Sequence, residues 1–240
     1  ARRVGGAASA RPPVMECALG IDERLARVRE RIGDACTRAG RDPAGVSLIA
    51  VSKTFPAEAV SKAYAAGLRD FGENRVQEGS AKIAALAREV SDARWHLIGH
   101  LQTNKVPAAL EHFDVIHSVD SVRLLDAIAA RMPGNGEVHI FIQVNVSGEA
   151  SKSGVSTSSA TDLIARARDA RGVILDGLMT IAPIEGGQTA AHRAFGQLRR
   201  LAEHHGLEQL SMGMSGDFEA AIEEGASHVR IGQAIFGGRA

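Results

Sequence analysis

Lysine is scarce in this chain, and one lysine stands where strands meet ligands. Five of the 240 residues are lysine, at positions 53, 62, 82, 105 and 152. Lys53 closes the run Val-Ser-Leu-Ile-Ala-Val-Ser-Lys at 46–53. That run is short, apolar and β-branched, and it reads as a strand. Thr54, Phe55 and Pro56 follow, and then a helical pattern. In α/β proteins ligands bind at the carboxyl ends of the strands. A primary amine placed there can attack a carbonyl and form a Schiff base. Position alone favours the plainer reading of a solvated lysine at a loop edge. Lys62 and Lys82 fall in mid-helix patterns and read as solvated. Lys105 starts a helix, and Lys152 lies in a loop.

Two stretches near the C-terminus offer complementary chemistry. Residues 211–217 read Ser-Met-Gly-Met-Ser-Gly-Asp, and residues 230–237 read Arg-Ile-Gly-Gln-Ala-Ile-Phe-Gly. Each joins a strand to a helix. Small residues, a hydroxyl and unpaired helix-start amides are what a phosphate requires. Ser215 can supply its hydroxyl. Gly232 lets the backbone approach closely, so the amides of Gly232 and Gln233 can donate. Read separately, each stretch is also a tight turn with a helix cap. Barrels place phosphate sites after strands seven and eight, and strand one adjoins strand eight in a closed barrel. An amine beside a phosphate cradle suits a phosphorylated aldehyde, of which pyridoxal 5′-phosphate (PLP) is the commonest cofactor. Arg230, at the end of the eighth strand, would then point at the ring nitrogen. A permanently charged guanidinium there keeps the pyridine unprotonated and weakens it as an electron sink. The competing reading of Arg230 is a salt bridge at the barrel rim.

The elements that must position these residues alternate regularly. Ile21, Leu25, Val28, Ile32 and Cys36 recur at helical spacing and predict an opening helix that ends near Gly40. Strands are expected at 46–52, 69–72, 94–98, 115–118, 137–145, 173–179, 209–211 and 228–231. Helices are expected between them, including 56–66, 76–89 with a capping box from Asn74 and Gln77, and 103–111. A Gly/Ser-rich loop is expected over 147–159. Eight strand–helix units at this length predict a single (β/α)8 TIM barrel. The competing open, doubly wound sheet would show a glycine-rich fingerprint after its first strand. Here Lys-Thr-Phe-Pro stands there instead.

Other chemistries find little support. Gly213-Met-Ser-Gly lacks the final glycine of a nucleophile elbow, because position 217 is aspartate. His96 and His100 span a strand end and its loop, not one helix face, so no metal site is expected. Lys+Arg and Asp+Glu both number 28, for a formal net charge of +0, which offers no electrostatic basis for nucleic acid or an acidic membrane. No apolar stretch reaches the length of a membrane span. Cys17 and Cys36 form no zinc or redox spacing, which fits a reduced, cytoplasmic setting. Residues 1–20, rich in Ala, Gly, Arg and Pro, read as a disordered leader, with Met15 a candidate natural start. The barrel domain is expected over 21–240.

Six motifs, in order, carry a resemblance. They are Ile-Ala-Val-Ser-Lys-Thr, Phe-Gly-Glu-Asn-Arg-Val-Gln-Glu, Trp-His-Leu-Ile-Gly-His-Leu-Gln-Thr-Asn-Lys, Gly-Leu-Met-Thr-Ile-Ala-Pro, Ser-Met-Gly-Met-Ser-Gly-Asp and Val-Arg-Ile-Gly-Gln-Ala-Ile-Phe-Gly. Together they resemble the pyridoxal phosphate homeostasis protein family from about residue 21 to the C-terminus. The resemblance implies a barrel like the N-terminal domain of alanine racemase and an internal aldimine on Lys53. It implies that Ser215 and the amides of Gly232 and Gln233 hold the phosphate, that Arg230 faces the pyridine nitrogen, and that Asn74 lies near the cofactor. It also implies a non-catalytic carrier that buffers PLP, serves PLP-accepting apoenzymes, influences vitamin B6 and amino-acid pools, and acts as a monomer. Gln233 departs from the family, which usually has a small residue there, often Thr. Phe218 stands where Met is usual.

Two alternatives differ in class. One is a PLP-dependent amino-acid racemase or related Schiff-base enzyme. It would need a second base, in racemases a tyrosine from a second domain. No such domain is expected after residue 240, and the single tyrosine, Tyr64, lies in the helix after strand one, where it packs. The other is an aldolase-like barrel that uses Lys53 without a cofactor.

Overall fold

The computed structural model describes residues 19–149, 152–183 and 185–238. The expected leader lies, through residue 18, outside the described residues, as do Met15 and Cys17. The first helix, α1 (Ile21–Arg38), turns Leu25, Val28, Ile32, Ala35 and Cys36 inward. Glu23 supports its start by accepting from the Gly20 N–H. Gly40, at φ +64°, takes the left-handed conformation that follows its end.

After α1 the chain builds a closed parallel barrel. Its strands are β1 (Ser47–Val51), β2 (Asp70–Glu73), β3 (Arg94–Leu97), β4 (Val115–Val119), β5 (Val138–Asn145), β7 (Val173–Met179), β8 (Gln209–Ser211) and β9 (His228–Ile231). Between them run α2 (Ala57–Ala65), α3 (Val76–Leu86), α4 (Val106–His112), α5 (Val122–Ala129), α6 (Thr157–Asp169), α7 (Gly187–His204) and α8 (Phe218–Glu223), with a final turn α9 (Gln233–Phe236). The order is β4-β3-β2-β1-β9-β8-β7-β5, and pairing of β4 with β5 closes the ring. The (β/α)8 barrel expected from the sequence is therefore present. Adjacent β1 and β9 run parallel with Ala50 opposite Ile231, which brings the exit of the first strand beside that of the last.

Most of the apolar core lies between the barrel wall and its helices, with Phe71, Phe195, Leu198 and Ile235 fully buried. The lumen differs. Its apolar part is a separate cluster of Val115, Phe141 and Met179, and around it are buried His96, His117, Ser211 and Arg230. His117 stacks on Phe141 at 4.5 Å between ring centroids.

Two local expectations need correction. No capping box forms at the start of α3, where Arg75 is the N-cap without a side-chain bond. Asn74 lines the ligand cavity instead. The loop expected over 147–159 is interrupted by a two-residue strand, β6 (Val155–Ser156), which extends the end of β5 through the pairing of Val144 with Val155. Gly154, at φ +125°, permits this, because a Cβ there would fall 2.6 Å from the Asn145 nitrogen. Ser156 then caps α6 by accepting from the Ser159 N–H.

Candidate functional site

At the carboxyl ends of the strands a cavity of about 590 Å³ opens. Its size falls in the about 300–1,000 Å³ range of small-molecule sites. All six residues singled out in the sequence line it: Lys53, Asn74, Ser215, Arg230, Gly232 and Gln233. Val51, Phe55, Ile98, Ile181 and Met214 supply apolar wall.

Lys53 stands two residues beyond the end of β1, and its backbone is gripped on both sides. Lys82 Nζ donates to the Ser52 carbonyl at 2.8 Å. The Ser52 hydroxyl donates to Glu73 at 2.7 Å, and Glu78 accepts from the Thr54 N–H. Thr54 is the only described non-glycine residue at positive φ, +66°. A β-branched residue adopts that conformation only where its surroundings over-determine it. Lys82 is thus not the solvated helix lysine read from the sequence. It is 7% exposed and paired with Glu73, which is 0% exposed. Lys82 falls on the buried face of α3 with Val76, Gly79 and Leu86. Burial pushes the Glu73 carboxyl up, against the opposing effects of the Lys82 and Ser52 hydrogen bonds.

The opposite wall is built from backbone. Gly213, at φ +91°, packs so closely on α8 that a Cβ would fall 2.6 Å from that of Ala221. Asp217 accepts from the Met214 N–H at 2.6 Å and fixes the turn. Burial raises the Asp217 carboxyl, against that bond and the charge of Arg230. The N–H groups of Ser215, Gly216 and Gln233 donate to no protein acceptor among the described residues. Gly232 passes beside β1, where a Cβ would sit 3.0 Å from the Val51 carbonyl oxygen.

Arg230 rises from the lumen into the cavity and is 4% exposed. Its guanidinium donates to Ser211 Oγ at 2.7 Å and to the Thr180 carbonyl at 2.9 Å. Burial lowers its pKa to about 10, with the charge of Asp217 opposing. At any physiological pH it stays a cation. The rim salt bridge that the sequence left open is not what holds it: its partners are a hydroxyl and a carbonyl. Sequence reasoning missed Ser52, Glu73, Glu78, Lys82 and Ser211. Only Glu73 carried a cue, since it abuts Asn74 in the Phe-Gly-Glu-Asn motif.

The donor set fits a phosphorylated aldehyde. An amine, a hydroxyl with free backbone N–H groups, and a buried guanidinium meet in one cavity. Among the described residues no cluster of His, Cys, Asp or Glu could hold a metal ion, and no helix is long and apolar enough to cross a membrane.

Barrel and site together define a class, the racemase-type barrels, and residues 24–240 match the alanine racemase N-terminal domain family. Within that class the relatives are specific. The chain is 48% identical over 222 residues to the pyridoxal phosphate homeostasis protein of Pseudomonas aeruginosa, covering 91% of this chain and 96% of that one. It is 41% identical over 228 residues to the protein of the same name from Escherichia coli K12, covering 91% and 97%. The solved structure of PipY from Synechococcus elongatus with PLP bound superposes with a TM-score of 0.80 at 37% identity, covering 91% of this chain and 100% of that one. The chain belongs to the pyridoxal phosphate homeostasis protein family.

Proposed function

We propose that this protein binds PLP reversibly at the strand-end cavity and carries or buffers it, contributing to vitamin B6 and amino-acid homeostasis without turning over a substrate. The observation that carries the reading is the convergence of Lys53, Ser215 and Arg230 on one cavity, in a chain whose relative PipY has been solved with PLP bound. When bound, the cofactor supplies an aldehyde that a primary amine captures reversibly.

Lys53 supplies that amine from a backbone held by Lys82, Glu73 and Glu78. Ser215 donates its hydroxyl to the phosphate, and the amides of Gly232 and Gln233 donate beside it. Using an amide tolerates the longer side chain of Gln233, because the contact belongs to the backbone. Asn74 lines the wall near Lys53. Arg230 serves the ring nitrogen, where a permanent cation disfavours protonation and so disfavours carbanion chemistry. The lining described for the cavity includes no tyrosine, histidine or carboxylate to act as a second base beside Lys53, which supports a carrier over a racemase. The reading also takes the protein as a cytoplasmic monomer that hands PLP to apoenzymes and touches neither nucleic acid nor membrane.

The test is chemical. Purified protein is mixed with PLP, reduced with borohydride, digested and analysed by mass spectrometry. A pyridoxyl label is expected on Lys53, and Lys53→Ala is expected to lose it entirely. No uptake by the wild type, or a label confined to another lysine, would sink the site. Sustained conversion of an L-amino acid to its enantiomer would overturn the non-catalytic role.

A further inference from the structure

A continuous hydrogen-bond chain runs through the barrel lumen beneath the site. Asp70, at the start of β2, lies on the face opposite the cavity, and its side chain is 30% exposed. Its carboxylate meets His96 Nε2 at 2.9 Å. His96 Nδ1 meets His117 Nε2 at 2.9 Å, and His117 Nδ1 meets Ser211 Oγ at 2.8 Å. Ser211 Oγ receives Arg230 at 2.7 Å. Five side chains from five strands thus connect the far face to the ligand cavity.

The carboxylate end, with both imidazoles neutral, sets the direction of every link. A guanidinium can only donate, an ionised carboxylate can only accept, and a hydroxyl can do both. Counted from Asp70, His96 carries its proton on Nε2 and donates to the carboxylate, which leaves its Nδ1 to accept. His117 then carries its proton on Nε2 and donates to His96 Nδ1. Its own Nδ1 accepts from the Ser211 hydroxyl, and Ser211 Oγ accepts from Arg230. Four links thus use four protons without conflict. Burial depresses His96, although Asp70 opposes it, and depresses His117 strongly, with neighbouring positive charge adding to the effect. Burial alone would raise Asp70, but the His96 bond and the nearby Arg94 and His228 hold it below the usual carboxylate range.

We infer that Asp70 is a positioning residue for Arg230: through Ser211, His117 and His96 it orders the guanidinium and supplies, at a distance, the negative end that this buried cation lacks at first contact. Buried cations are costly unless paired. Arg230 touches only neutral oxygens, and polarisation along an ordered chain offsets part of that cost. On the opposite face of a barrel, residues ordinarily serve stability alone. Here one of them reaches the ligand end. The functional consequence rests on the reading of the cavity as a PLP site.

The experiment begins on apoprotein. Nitrogen-15 NMR of the histidines is expected to show His96 and His117 neutral with the proton on Nε2, together with one sharp Arg230 Nε–H resonance. Asp70→Asn keeps an acceptor and is expected to keep both tautomers. Asp70→Ala removes it and is expected to mix the His96 and His117 tautomers and broaden the Arg230 resonance. Removing the charge-assisted bond in Ser211→Ala is expected to weaken PLP about ten-fold. Asp70→Ala, acting through intervening groups, is expected to weaken it about three-fold. The inference is overturned by a wild-type His117 protonated on Nδ1. It is equally overturned by a folded Asp70→Ala that keeps wild-type tautomers and an unmoved Arg230 resonance. Should Asp70→Ala not fold, a Ser211→Ala protein with unchanged His117 tautomer and Arg230 resonance overturns it instead. Failure of the wild type to take up PLP would count against the site, while the apoprotein spectra still decide the chain.

Discussion

The two walls of the cavity solve the same backbone problem by different means. Each needs a residue at positive φ where a strand gives way to a ligand-facing turn. On the wall after β8 the residue is Gly213, at φ +91°, where the absence of a side chain makes the conformation easy. On the wall after β1 it is Thr54, at φ +66°, where the conformation is costly. There, Glu78 takes the Thr54 N–H and Lys82 takes the Ser52 carbonyl. A phosphate asks for open amides, which small residues provide. An amine that must meet one carbon asks for a fixed origin, which buried charged side chains provide. The glycine wall is specified locally, whereas the lysine wall depends on two other elements, β2 and α3.

Breaking the charged clamp is expected to have the largest effect. Lys82→Met strands the buried Glu73 carboxylate and should cost about 3–5 kcal/mol, a fall in Tm of roughly 10 °C for a domain this size. The stranded carboxyl binds protons more tightly when folded than when unfolded. The loss should therefore be smaller at pH 5 than at pH 8, and Glu73→Gln in the same background should recover part of it. Calorimetry across pH checks both. If Lys82→Met is neutral at every pH, the charged clamp has no structural role.

The lumen beneath both walls should set the acid limit. Burial lowers His228 from 6.5 to about 4. The unfolded chain then binds the proton first, so stability is complete above the unfolded value and falls as pH drops from 6.5 towards 4. That single group contributes about 3 kcal/mol over the window, and His96 and His117 act in the same direction. His228→Gln should flatten this acid limb in denaturant titrations; an unchanged slope would remove His228 from the account.

The smaller tests concern the two turns. Gly213→Ala adds a Cβ 2.6 Å from Ala221 at a left-handed position, and should cost about 2 kcal/mol. Thr54→Gly should do the reverse, staying neutral or gaining about 1 kcal/mol. It should also slow borohydride-trapped labelling of Lys53 by loosening its origin. Shifts in Tm of opposite sign would sharpen the contrast between the walls. A destabilised Thr54→Gly would erase it.

Much of this was legible before any fold was seen, but unevenly. Lys53 at a strand end, the two glycine-bearing stretches and the alternation of strands and helices are local patterns, carried by periodicity and by residues with special backbone freedom. Asn74 was located by resemblance, and its supposed cap did not form. Lys82 was misread because its partners lie outside its own helix, Ser52 just past the end of β1 and Glu73 in β2. Ser211 ends a strand of only three residues, too short for alternation to reveal an inward aim.

The amino-acid sequence by itself therefore determined the eight units, the amine and the phosphate-type loops, because each is encoded within a few neighbouring residues. Closure of the ring decided the rest. Only when β4 meets β5 do Asp70, His96, His117, Ser211 and Arg230 face one another. Their contacts join residues 19 to 94 positions apart along the chain, and short strands carry no local record of which partner will stand across the lumen.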